Sequence, residues 1–100
     1  GSLALMEDRL LLGDGKLQIY GSQVWTLPDP ETGEKIEFFP PMIDPDNVDK
    51  RRAEVGLPDL ATYANYFGMT WDLEQYKKDL PKLQKMFDDY HTERAKKARP

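Results

Sequence analysis

The residues whose types suit chemistry are few: Asp8 and Arg9 in one segment, Tyr20, Ser22 and Gln23 in the next, and Arg52 further along. A carboxylate, a guanidinium, a phenol, a hydroxyl and a carboxamide in one cleft could orient a sugar, a peptide or a phosphate ester. In that reading Asp8 is a base and Arg9 an anion clamp. The same residues have a structural reading. Asp8 and Arg9 can pair with each other or with backbone, while Tyr20 and Gln23 satisfy an irregular strand around Gly21.

Other constellations carry less. Asp44, Asp46 and Asp49 have the outline of a calcium loop, but Val48 and Asp49 stand where an oxygen ligand and a glycine are needed, and Val55 where the closing glutamate belongs. Helix capping explains them better. Lys50-Arg51-Arg52 would splay over about 200° on a helix, so the run makes no single patch, and Arg52 is the one expected to turn inward to a carboxylate. His91 suits the negative end of a helix dipole, and nothing near it in sequence completes a triad or a ligand set. Phosphate-binding glycine loops, Ser-x-x-Lys pairs and Gly-x-Ser-x-Gly elbows are absent from the sequence.

The elements that must position these residues follow from periodicity and punctuation. Leu3, Met6 and Leu10 fall on one helical stripe, which predicts a core-facing helix over 3–12. Gly13-Asp14-Gly15-Lys16 ends it. Residues 17–27 are rich in β-branched and aromatic side chains and read as a strand with a bulge at Gly21. The turn formers of 28–34 and the alternation of 35–39 complete an antiparallel hairpin. Asp44-Pro45 predicts a capped helix to about Val55, stopped by Gly56; a short helix over 59–67 follows. Thr70 should cap a further helix, with Pro81 either a kink or a fresh start. Leu83, Met86, Phe87 and Tyr90 form its core or interface stripe.

The totals bound the function. One hundred residues without internal repeats allow one small domain. With no cysteine and one histidine, thiol chemistry, disulfides, thiolate zinc and histidine-rich metal sites are excluded. No stretch reaches the roughly 18 apolar residues a membrane span needs. The net charge is −4; residues 91–100 carry +3 of it, leaving −7 for the rest, so a basic face for DNA or RNA is not expected. Gly1-Ser2 reads as a cloning remnant before a helix that lacks an initiator methionine, which suggests a start inside a longer protein.

Several ordered segments together resemble a bacterial family of domains of unknown function, the one numbered 6624. They are Leu5-Met6-Glu7-Asp8-Arg9, Gln18-Ile19-Tyr20-Gly21-Ser22-Gln23, and Ile43-Asp44-Pro45-Asp46-Asn47-Val48-Asp49-Lys50-Arg51-Arg52 running into Val55-Gly56-Leu57-Pro58. They cover about the middle two-thirds of the chain, with Ser22 where threonine is usual. The resemblance implies an α+β domain in which these polar elements converge, and identifies the chain with the C-terminal part of the family. Family members look longer, with a helical upstream half that includes a histidine. The family brings no established activity.

The expected fold is therefore α+β: an N-terminal helix, a small antiparallel β-hairpin, then three or four packed helices. Residues 1–90 should form the domain and 91–100 a basic tail. The expected function is a binding or interaction module without a cofactor, recognising a polar ligand or protein partner through the hairpin face. The alternatives are a hydrolase-like or transferase-like enzyme built on Asp8, Arg9, Tyr20 and Gln23, and a homo-oligomeric assembly domain.

Overall fold

The computed structural model describes residues 2–98. Helix α1 (Ser2–Gly13) buries Ala4, Asp8 and Leu12, residues four apart that stack on one side of a helix. This corrects the expected inner face, because Leu3, Met6 and Leu10 are 79%, 56% and 63% exposed. The cause is Asp8. Its carboxylate is hydrogen-bonded to the loop beneath the helix, and turning that face inward carries the apolar stripe out to solvent.

Strands β1 (Trp25–Pro28) and β2 (Lys35–Phe38) form a two-stranded antiparallel sheet with Trp25 opposite Phe38 and Leu27 opposite Ile36. The expected strand from residue 17 is thus reduced to its last quarter, and Gly21 is no bulge. Residues 17–24 form an irregular loop whose one β-type pairing among the described residues is a parallel bridge, Gln18 to Met42. Ile19 and Val24 favour a strand, but a loop whose amides are claimed by a side chain cannot offer them to a ladder.

A 3-10 turn (Pro45–Asn47) leads into α2 (Val48–Glu54), followed by α3 (Leu60–Asn65) and the long α4 (Leu73–Ala98). Asp44 precedes the turn but caps no amide with its side chain; its carboxylate takes the Asn47 side-chain amide at 2.8 Å. The caps that do form are Asp59, accepting from the Thr62 amide at 2.8 Å, and Asp72, accepting from the Gln75 amide at 3.1 Å. Asp72 therefore replaces Thr70 as the start of the last helix. Pro81 lies inside α4, which runs as one helix through the expected basic tail, whose last two residues lie outside the described ones.

The core gathers Phe38, Phe39, Met42, Val48, Leu60, Ala64, Tyr76, Leu83 and Met86 between the hairpin and the helices. Buried Tyr76 donates to the carbonyls of Phe39 and Pro40 at 3.2 and 3.0 Å, pinning α4 to the strand exit. At the other end of the hairpin Asp29 plays the matching part. One of its oxygens accepts from the Glu31 amide at 2.7 Å and the other from Lys82 of α4 at 2.6 Å.

The Lys82 hydrogen bond, then the Glu31 amide, hold the Asp29 carboxyl below its usual range, while burial opposes them. A depressed folded-state pKa gives stability that is present above the unfolded value and lost as pH falls through the folded one. Asp29→Asn should therefore lower the urea midpoint at pH 7, with the deficit shrinking as pH falls below about 4. A deficit that stays constant from neutral to acid pH would show that the charge of Asp29 plays no part.

Candidate functional site

Three of the candidate ligand-binding residues take part in the loop 18–23: Asp8 and Arg52 hydrogen-bond to it, and Ser22, one of its own residues, donates to Asp8. One Asp8 oxygen accepts from the amides of Ile19 at 2.7 Å and Tyr20 at 3.1 Å. The other accepts from the Ser22 amide at 3.0 Å and the Ser22 hydroxyl at 2.8 Å. Gly21 makes this wrap possible: its φ is +61°, a conformation costly for any residue with a Cβ, and an added Cβ would sit 3.3 Å from Met42.

The carbonyls of the same loop turn to cations and donors on the other side. Arg51 Nε donates to Ile19 O at 2.8 Å, and its remaining nitrogens reach the carbonyls of Asp44 and Ile43. Fully buried Arg52 donates to Tyr20 O at 2.7 Å and Pro58 O at 2.6 Å. It thus turns inward as expected, but onto carbonyls in place of a carboxylate. Its guanidinium lies 4.4 Å from the Tyr63 ring centroid, and the Tyr63 hydroxyl donates to Ser22 O at 2.8 Å. Desolvation lowers the Arg52 pKa, with Tyr63, Asp49 and Asp8 opposing it, and lifts that of Tyr63. Gln18 closes the loop on itself, accepting from the Gln23 amide at 3.1 Å and donating to Pro40 O at 2.9 Å.

With both oxygens engaged by four donors, Asp8 is placed as a structural acceptor, and it forms no ion pair with Arg9. Arg9 is exposed, and among the described residues nothing engages its guanidinium. Arg9 and Gln23 line a cleft of about 260 Å³ between the end of α1, the entry to β1 and the last third of α4. Tyr20 lies outside that lining. The other walls come from Leu12 and Trp25 and, on α4, Tyr90, His91 and Arg94.

The α4 residues were not singled out together in the sequence, although Tyr90 and Arg94 are one turn apart and share a helix face. Arg94 donates to the Tyr90 hydroxyl at 2.8 Å. The His91 ring packs on Phe87 with centroids 4.6 Å apart, and its Nε2 is buried without a hydrogen-bond partner. The negative end of α1 faces this region, but the turn of residues 14–16 covers it: the carbonyls of Leu10, Leu11 and Leu12 all accept backbone amides. Two arginines and an imidazole therefore meet in a cleft with no acidic residue in its lining.

The three aspartates of the calcium-like run separate. Asp44 takes Asn47, Asp46 pairs with Lys77 at 3.1 Å, and Asp49 accepts from the Leu60 amide at 2.8 Å.

Fold and site together define a small α+β domain in which a polar loop, tied down by a buried carboxylate, holds the floor of a basic cleft. Residues 1–75 match the family of unknown function DUF6624, and the chain belongs to that family. The match falls on the N-terminal part of the chain, where the C-terminal part of the family was expected. It covers the loop, the hairpin, α2 and α3, and stops as α4 begins, short of Tyr90, His91 and Arg94. No curated protein and no solved structure matches the chain.

The loop gives a direct test of this assignment of roles. Asp8→Asn puts a donor where four donors converge, and should cost about 2–4 kcal/mol of unfolding free energy, read from urea denaturation. A loss below about 0.5 kcal/mol, the range of ordinary surface substitutions, would mean that the carboxylate is not what holds the loop.

Proposed function

We propose that this domain is a binding module that recognises an anionic group of a polar ligand or protein partner in the cleft formed by Arg9, Gln23, His91 and Arg94. One observation carries the reading: Arg9 and Arg94, neither with a carboxylate partner among the described residues, line one cleft together with His91, whose Nε2 is buried without a hydrogen-bond partner. Cations held together without counter-charge repel one another, and a bound anion removes that repulsion. The recognition surface is thus the N-terminal end of the hairpin with α4. The enzyme alternative loses its base, since Asp8 is occupied.

Inorganic phosphate and acetate, titrated separately and followed by amide chemical shifts, should move the signals of Arg9, His91 and Arg94. The Arg9→Gln/Arg94→Gln pair should weaken binding at least tenfold, about 1.4 kcal/mol, without lowering the melting temperature, because both side chains are exposed and their mutual repulsion is removed. Shifts that miss the cleft, or equal affinity in the double variant, would refute the reading.

A second reading, self-association, is supported by the exposed α1 stripe of Leu3, Met6 and Leu10, a face that in a monomer leaves large side chains in water. Sedimentation equilibrium should then show a dimer that Met6→Glu dissociates. A monomer at millimolar concentration removes this reading.

A further inference from the structure

We infer that the anionic group is the C-terminal carboxylate of an extended peptide, which adds as a third strand along the open edge of β1. The inference rests on the anion-binding reading above and names its ligand.

β1 has a strand partner on one side only, β2. The Asp29 amide donates to Glu34 O at 2.7 Å in continuation of the same register. Because strand amides alternate in direction, those of Leu27 and Trp25 also face β2, and the N–H and C=O of Thr26 face the open edge. Pro28, which has no N–H to offer, falls on the outward set, where proline is tolerated.

Three hollows follow one another along β1 and α4. The basic cleft shares Trp25 and Tyr90 with a groove along residues 24–27, and this groove shares Leu27 and Tyr90 with an apolar hollow of about 420 Å³. The hollow is lined by Leu27, Pro28, Met86, Asp89 and Glu93, among others. Tyr90 of α4 lies against all three, so helix and strand edge together form a slot. Four strand residues span about 13 Å, enough for a peptide to reach from one end to the other.

The charges set the direction. Arg9 and Arg94 stand at the Gln23 end of β1; Asp89 and Glu93 stand at the Pro28 end, each in an exposed ion pair, with Lys85 at 2.9 Å and Lys96 at 3.9 Å, that an incoming cation would exchange. A strand antiparallel to β1 places its C-terminus at the arginines and its N-terminal side at the carboxylates. The opposite orientation sets the basic end of the peptide against the arginines. The fitting partner is therefore a chain terminus with a free carboxylate, apolar residues just before it and a basic residue about five positions upstream. This is strand addition, in which main-chain bonds supply affinity and flanking pockets supply choice.

The test uses the full chain and three probes: a degenerate hexapeptide pool with lysine fixed first and a free C-terminus, the same pool amidated at its C-terminus, and acetyl-valine. The free-acid pool should shift the amides of residues 24–27 as well as those of the cleft. It should bind at least tenfold more tightly than either control, and Arg9→Gln should abolish the difference between acid and amide. Equal binding of acid and amide pools overturns the inference. So does a pool that binds no better than acetyl-valine or leaves residues 24–27 unshifted; if acetyl-valine or phosphate still binds at the arginines, the anion-binding reading survives alone. Silence of every probe, phosphate included, overturns both.

Discussion

A carboxylate taken out of water must be given back its hydrogen bonds, and the way Asp8 is given them organises the rest of the domain. Its donors are local dipoles, the amides of residues 19, 20 and 22 and one hydroxyl. A direct ion pair would have left the loop unanchored. Here the loop lies between opposite charges, its amides turned to the anion and its carbonyls to Arg51 and Arg52. The Ile19–Tyr20 peptide is oriented from both sides, its carbonyl accepting from Arg51 and its amide donating to Asp8. The arrangement satisfies the main-chain groups that an irregular segment next to a core would otherwise bury unpaired.

The consequence for function is indirect and geometric. The loop engages the Asp8 and Ser22 side chains with each other, and Gln23, its last residue, lines the cleft beside it with Trp25. Arg9, adjacent in sequence to Asp8, points elsewhere and is left without a counter-ion. Neighbours along a helix diverge by about 100°, so one turn of α1 supplies both the anchor of the fold and a charge for the cleft.

The roles of α1 and of residues 17–24 were the least legible features of the sequence. Apolar periodicity identified the helix but named the wrong face, since hydrophobicity scales take no account of a buried acid with four donors. Strand propensity in 17–24 was real, but its amides were committed to a side chain eleven or more residues away. His91 and Arg94 were readable only as the end of a helix, because their meeting with Arg9 joins opposite ends of the chain.

By itself the sequence determined the class of fold, the order of elements, the hairpin turn at 28–34, the breaks at Gly13 and Gly56, and the inward turn of Arg52. These follow from local rules: turn formers, helix stops and periodicity act over a few residues. Only the tertiary structure decided that Asp8 anchors the loop 18–23, that the Leu3, Met6 and Leu10 stripe faces solvent, and that Arg9, Gln23, His91 and Arg94 share a cleft. The physical reason is that burial and hydrogen-bond partnership depend on which distant segments pack together. The polar residues of this chain were all visible, but their partners were not.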